Sequence, residues 1–289
     1  MCFNQHIDNL PISIKKINLG GSFNQLINLL PNSLTTLILG HEFNQSIDNL
    51  PNSLTHLSIG DNFNQSISSL PNSLRNLTIN GNFKQPIDSL PNSITHLTLE
   101  HKFNQSIDNL PNSLTYLKLG NIFNQAIDLL PNSITHLELG DDFNKPIDNL
   151  PNSITHIIFG KKFNQSINNL PDSITYLKLD NPKYSNKIYK LPKSLKNLYI
   201  RNRALVYKIG FPNYDNNIIF IHNKSDIIGN LPTNITHILI EKMPKEFILN
   251  IPLKFKKILL YTESDLQNIP DEYIKYCEIF ENPFLEKTE

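Results

Sequence analysis

Residues 43–60 read FNQSIDNLPNSLTHLSIG, and close variants of this stretch recur every twenty residues along the chain. One aromatic residue opens each of the nine clearest copies. These are Phe3, Phe23, Phe43, Phe63, Phe83, Phe103, Phe123, Phe143 and Phe163. A fixed period of about 20–50 residues indicates a solenoid, in which short coils stack and each contacts only its neighbours.

Each copy contains the signals of one coil. Six positions are apolar, and in the second copy they are Phe23, Ile27, Leu30, Leu34, Leu37 and Leu39. Leu37 and Leu39 alternate with other residues, which predicts a short strand with one buried face. Pro31 cannot donate to a strand ladder and predicts a turn before the strand, while Gly40 permits a turn after it. No segment between the strands suits a regular helix.

The same pattern extends, weakened, to the end of the chain. We expect regular repeats over 1–180, degenerate repeats of the same solenoid over 181–279, and a tail over 280–289. The apolar positions fall one residue late at Leu198 and again at Cys277. The prediction is an all-β repeat fold of about fourteen twenty-residue coils with little or no helix.

Stacking of like coils places like residues above one another. The phenylalanines should form an offset-stacked column inside the solenoid. Asparagine carries both a donor and an acceptor, so the residue after each phenylalanine should bond backbone groups of adjacent coils. This column of asparagines contains Asn24, Asn44, Asn64, Asn104, Asn124, Asn144 and Asn164, and Lys84 interrupts it.

Composition argues against several partners. The formal net charge is +0 at pH 7, so no global field attracts nucleic acid. No apolar run approaches the roughly 20 residues that a membrane span needs. The first residues show no signal-peptide pattern, and the 2 cysteines predict no disulfide framework. We therefore expect a cytoplasmic monomer that binds neither nucleic acid nor membrane.

Side chains between the inward leucines should project from the open face of the sheet. They vary from copy to copy while the framework repeats, which is typical of a recognition surface. Histidine and tyrosine offer large contact area with a polar tip. We predict partner-binding roles for His56, His96, Tyr116, Lys118, His136, Glu138, His156, Tyr176, Lys178 and Tyr199.

Two metal sites are conceivable, and we predict neither a metal nor a cofactor. His136, His156 and Glu138 carry groups that zinc accepts, but a flat sheet splays side chains that a tetrahedral site needs to converge. Aspartates recur at the sixth position of most copies, and this column could suggest calcium; they are Asp8, Asp48, Asp88, Asp108, Asp128 and Asp148. Asparagine and serine fill the same position in other copies, which favours turn chemistry.

Nothing in the sequence predicts catalysis: it has no Gly-rich phosphate loop, no Cys-x-x-Cys and no Gly-x-Ser-x-Gly. We predict a non-enzymatic protein–protein interaction solenoid. The alternative is a polysaccharide-binding or polysaccharide-cleaving β-solenoid, with Glu100 and Glu138 two coils apart and Tyr116 and Lys118 between them. A third hypothesis is a remnant paralogue with no partner of its own.

The segment Phe-Asn-Gln-x-Ile followed by Leu-Pro-x-Ser-Leu-x-x-Leu resembles the FNIP repeat, a leucine-rich-repeat variant. The resemblance is strong over 1–180 and weak over 181–279. It implies a right-handed solenoid with one parallel sheet on the concave face. The family is known from social amoebae and from giant viruses that infect amoebae. If the chain is viral, the resemblance implies that the protein is located in the cytoplasm of the host.

Some FNIP proteins carry an F-box before the repeats and resemble substrate receptors of ubiquitin ligases. Only Met1 and Cys2 precede Phe3 here. We therefore expect a link to host ubiquitin machinery only if another chain supplies the F-box. The partner implied by the resemblance is a protein, and it would be a host protein if the chain is viral.

Overall fold

The computed structural model describes residues 3–188, 190–200, 237–240, 257–260, 274–275 and 277–279. Ten strands form one parallel sheet in chain order, and three more form a second parallel sheet. The first sheet contains β1 Lys16–Leu19, β2 Thr36–Leu39, β3 His56–Ile59, β4 Asn76–Ile79, β5 His96–Leu99, β6 Tyr116–Leu119, β7 His136–Leu139, β8 His156–Phe159, β9 Tyr176–Leu179 and β10 Asn197–Ile200. The second contains β11 His237–Ile240, β12 Lys257–Leu260 and β13 Cys277–Ile279.

This arrangement confirms the predicted parallel β-solenoid. In the described part of the chain, no helix is long and apolar enough to cross a membrane. The sequence pattern also predicts a strand at Ile218 and Phe220, the eleventh of the fourteen expected, and this segment lies outside the described residues. The sequence pattern of the last coil also places Ile274 at an apolar position of the repeat, but this residue is 41% exposed.

The register follows the sequence period. From β1 to β9 each residue pairs with the one twenty positions later, as Leu37 does with Leu57. Between β9 and β10 the offset grows by one, so that Leu177 pairs with Leu198. The predicted one-residue delay is therefore accommodated before the strand, and the leucines still meet in the same layer.

The phenylalanine column is confirmed. Ring centroids from Phe3 to Phe163 are 5.9–6.4 Å apart and neighbouring rings are nearly parallel. Tyr184 continues the column at 6.4 Å from Phe163. The rings from Phe23 onward are at most 1% exposed, whereas Phe3 is 49% exposed. The column is thus a continuous interior element shared by successive coils.

Side-chain ladders join the coils outside the sheet. As predicted, Asn24 Oδ1 accepts the backbone N–H of Asn44 at 2.9 Å, and it also accepts from the Gln45 amide at 3.0 Å. A second ladder, which we did not predict, uses the serine that precedes each strand. Ser53 Oγ donates to the Leu34 carbonyl at 2.6 Å, and seven other coils repeat the bond.

Two coils turn differently after the strand. Asn80 and Glu100 stand where most coils have glycine, and their backbone N–H groups bond to the preceding coil at 2.9 Å. The residues that follow them, Gly81 and His101, adopt positive φ of 73° and 51°. Among the described coils, these two therefore differ in the backbone conformation of the turn that follows the strand.

Lys84 offers a way to test the asparagine ladder. Its N–H donates to Asn64 Oδ1 at 2.8 Å, but a lysine side chain has no acceptor for the Asn104 N–H above it. We expect Lys84→Asn to raise the free energy of unfolding by about 1 kcal/mol, because it restores that bond. Urea unfolding followed by circular dichroism would measure this. Lys84→Ala also removes the charge and should bring no gain; an equal gain in both variants would contradict the explanation.

Candidate functional site

We define the strand face as the first and third residues of strands β1 to β10, whose side chains point away from the core. All ten predicted contact residues occupy it. His56 and His96 are exposed, and seven others are half-buried. Tyr199 differs, because it is only 3% exposed and lies beneath the Lys178 ammonium, 4.6 Å from the ring centroid. Tyr199 therefore offers little surface to a partner.

Five of these side chains form a second column of rings, which we name the outer ring column. It comprises His96, Tyr116, His136, His156 and Tyr176, with successive centroids 5.7, 6.4, 4.3 and 5.8 Å apart. Because each ring faces its neighbours, the column presents mainly ring edges outward. A partner therefore meets polar ring atoms at regular intervals. His56 stands apart from the column, since Asn76 occupies the intervening position.

A threonine before each of four histidines orients the ring. Thr135 Oγ1 lies 2.8 Å from His136 Nδ1, and Thr155 Oγ1 lies 2.8 Å from His156 Nδ1. The same pair occurs at Thr55–His56 and at Thr95–His96. These threonines also hydrogen-bond the backbone of the preceding coil, which ties ring orientation to the frame. We missed this role, although the recurring Thr-His dipeptide was the available signal.

The closest pair of rings is His136 and His156, stacked at 4.3 Å with planes 10° apart. Burial lowers the pKa of His136, and repulsion from His96 adds to the shift. Burial together with repulsion from His136 lowers the pKa of His156 to about 4. At neutral pH the centre of the column is therefore uncharged.

This pair predicts a specific pH dependence. An unfolded histidine titrates near pH 6.5, so the unfolded state binds the proton of His156 first on acidification. Stability is then lost as pH falls from about 6.5 towards 4, and rises with pH across the same window. We expect His156→Thr to reduce this loss, as measured by urea midpoints between pH 7 and 4.5. His56→Thr, at an exposed position, is the control and should keep the wild-type slope.

An ion-pair cluster lies beside the outer ring column. Lys118 Nζ bonds Glu100 at 2.8 Å, and Tyr116 Oη donates to Glu138 Oε1 at 2.8 Å. Burial alone would lower the pKa of Lys118. The hydrogen bond and charge of Glu100 outweigh it, together with the charge of Glu138, so this pKa is raised. Lys118 is therefore a permanent cation held mainly by Glu100, although Glu138 is its register partner.

A polar pocket of about 580 Å³ opens on the strand face between β4 and β7. At the third strand position, the short side chains of Thr78 and Thr98 are followed in the next two coils by the long side chains of Lys118 and Glu138. The pocket lies where this change of side-chain length occurs. Its lining is Asn76, Leu77, Thr78, His96, Thr98, Glu100, Thr115, Tyr116, Lys118, Thr135 and His136.

The metal alternatives find no support in the described residues. Within them, no group of three or more histidines, cysteines or carboxylates could hold a metal ion. His136 and His156 lie parallel rather than converging. Aspartates of the suggested calcium column bond instead within their turn, as Asp48 does with Ser46, or to the next coil, as Asp88 does with Asn109. These bonds favour turn chemistry.

Comparison with solved structures supports a leucine-rich-repeat fold. CroV588, described as a novel circular LRR protein structure, is 29% identical with a TM-score of 0.52. The alignment covers 96% of this chain and 65% of that one. An internalin, InlF of Listeria monocytogenes, is 16% identical with a TM-score of 0.50, covering 89% and 77%. InlJ of the same organism is 10% identical with a TM-score of 0.52, covering 91% and 59%.

The comparison with curated proteins finds no match. The family comparison is specific, because the FNIP Repeat model matches seven times along the described solenoid. The matched residues are 3–42, 43–81, 63–102, 83–122, 103–142, 123–162 and 143–181. Together they span the nine phenylalanine-led coils. The chain therefore belongs to the FNIP repeat family.

Proposed function

We propose that this protein is a non-enzymatic protein–protein interaction module and that its docking surface is the strand face. The observation that carries the proposal is the contrast between frame and face. The second residue of strands β1 to β10, which points inward, is leucine or isoleucine, as at Leu97, Leu117 and Leu137, while its outward neighbour changes from coil to coil. A ribbon of varied side chains on a fixed frame suits recognition of one partner surface.

The chemistry of the face favours a protein partner. Ring edges, threonine hydroxyls and the Glu100–Lys118 ion pair offer hydrogen bonds and charge, which set specificity in protein interfaces. We also propose that the protein is a cytoplasmic monomer. Asn44 and Asn104 each begin an Asn-x-Ser sequence of the kind that is N-glycosylated, and both are half-buried in the asparagine ladder. This placement fits a compartment without N-glycosylation. A host ubiquitin-ligase subunit is one partner that the family suggests.

The second candidate function is polysaccharide binding or cleavage. Glu100 and Tyr116 line the pocket with Lys118, and Glu138 bonds Tyr116 beside it. Sugar rings usually pack on exposed aromatic faces, whereas most faces in the outer ring column are covered by neighbouring rings. A glycan array and a reducing-end assay would separate this candidate, since binding or cleavage there would favour it over protein docking.

The test of the proposed function uses a photo-crosslinker at His156 on the strand face and at Asn152 on an exposed turn of the same coil. In amoeba cytosol, the first should capture a defined protein and the second should not. A fivefold variant with threonine at His56, His96, Tyr116, His136 and His156 should lose that capture; Thr36 shows that the position accepts threonine.

The matched control for the fivefold variant replaces five exposed turn residues of the same coils by alanine. These are Asn52, Asn92, Asn112, Asn132 and Asn152. Circular dichroism and urea midpoints verify that both variants fold. Undiminished capture by the folded strand-face variant would place the docking surface elsewhere.

A further inference from the structure

The pocket on the strand face lies at the end of the outer ring column. Tyr116 stacks on one side of His96 at 5.7 Å. On the other side the register partner of His96 is Asn76, so no ring of the strand face covers that side. His96 is exposed and lines the pocket together with Asn76 and Thr78. The imidazole therefore provides the pocket with a flat aromatic wall.

Acceptor atoms surround this wall. Glu100 lines the pocket with its side chain 25% exposed, and only Oε1 is used in the bond to Lys118. Thr78 and Thr98 supply hydroxyl oxygens, and Asn76 supplies an amide oxygen. Glu100 directly follows β5 and precedes His101, whose φ is positive. The irregular coil thus places a carboxylate where most coils have glycine.

The local charge is negative. The charges of the two charged lining residues, Glu100 and Lys118, balance, and Glu138, which accepts a hydrogen bond from Tyr116 beside the pocket, leaves a net charge of −1 around it. Lys118 is already engaged by Glu100 at 2.8 Å and its side chain is 38% exposed. A cation entering beside His96 would find Glu100 in the same pocket, with one carboxylate oxygen outside the bond to Lys118.

We propose that this pocket binds the guanidinium group of an arginine presented by the partner protein. A guanidinium is planar, stacks on aromatic faces, carries five N–H donors and forms paired bonds with carboxylates. His96 would take its face, Glu100 would take one edge, and the Thr78 and Thr98 hydroxyls would accept the remaining hydrogens. The inference rests on the proposed function, because the arginine belongs to the docked protein.

The experiment titrates the protein with three blocked tripeptides, Ac-Gly-X-Gly-NH2, in which X is arginine, citrulline or lysine. NMR of the histidine rings reports binding. The arginine peptide should shift the His96 ring resonances and weaken with added salt. Citrulline has the same shape without the charge and should bind about tenfold more weakly, since charge-assisted bonds are the stronger ones. Lysine lacks the planar fork and should also bind more weakly.

Variants locate the site. Glu100→Gln keeps the side-chain shape and should weaken arginine binding about tenfold. His96→Thr should weaken it as well, whereas Asn52→Ala, on an exposed turn outside the pocket and the strand face, should leave it unchanged. No shift with arginine, equal binding of citrulline, or an undiminished response in Glu100→Gln would overturn the inference. Crosslinking at His156 would still succeed in those cases if the strand face docks a partner in another way.

Discussion

Replacing Phe103 by alanine should lower the free energy of unfolding by about 3–5 kcal/mol. Phe103 is 1% exposed, and its ring lies 6.4 Å from that of Phe83 and 6.3 Å from that of Phe123. The substitution removes buried area, leaves a cavity and interrupts the column on both sides. Neighbouring coils cannot close the gap, because the sheet register and the serine ladder fix their spacing. Urea unfolding monitored by circular dichroism measures the loss.

Phe3→Ala is the matched control, since it has the same repeat position and a ring that is 49% exposed. It should cost about 1 kcal/mol, because half of the ring is already in water and only Phe23 stacks on it. Similar losses in the free energy of unfolding at the two positions would show that the stacked rings of neighbouring coils do not stabilise one another. That result would also undermine the rigid frame on which the docking proposal depends.

Replacing Gly81 by alanine should cost about 2–4 kcal/mol. Gly81 has φ of 73°, where a side chain is strained by about 1–2 kcal/mol. An added Cβ would also lie within 2.1 Å of the Asp61 carbonyl oxygen, and relieving such overpacking costs about 1–3 kcal/mol. At Gly81 the strained φ and the steric overlap therefore coincide. His101, at the same repeat position in the next coil, also adopts positive φ.

Gly21 gives the control for this substitution, because it occupies the same repeat position with nothing within 4 Å of an added Cβ. Gly21→Ala should be neutral, or stabilising by up to about 1 kcal/mol through the unfolded state. Thermal unfolding of both variants would distinguish them. If Gly81→Ala were as well tolerated as Gly21→Ala, the turn would not require glycine at the transition.

The turn change also connects the frame to the candidate site. Glu100, which directly follows β5, binds Lys118 of the strand face at 2.8 Å. Without Glu100 the pocket would retain His96 and the threonine hydroxyls but lose its lining carboxylate. A departure from the repeat therefore creates the most distinctive chemistry of the surface. In this solenoid, function should be sought where the repeat is irregular.

The fold could be predicted because the information is local and repeated. The twenty-residue period sets the register, as Leu37 pairing with Leu57 shows, and the alternation of Leu37 and Leu39 sets the buried face. The phenylalanine and asparagine columns follow from stacking like on like. The prediction that Ile274 occupies an apolar repeat position was weaker, because it rested on one degenerate copy of the pattern, and this residue is 41% exposed. The serine ladder was missed because the residue alone does not show which carbonyl it bonds.

The sequence by itself determined the strand positions, the core and the side of the sheet on which the ten predicted contact residues lie. Only the tertiary structure decided how those side chains pair. Glu138 bonds Tyr116 rather than Lys118, His136 and His156 stack at 4.3 Å, and Tyr199 is covered. The reason is physical: periodicity fixes the backbone of each coil, whereas partner choice depends on rotamers and turn geometry in three coils at once.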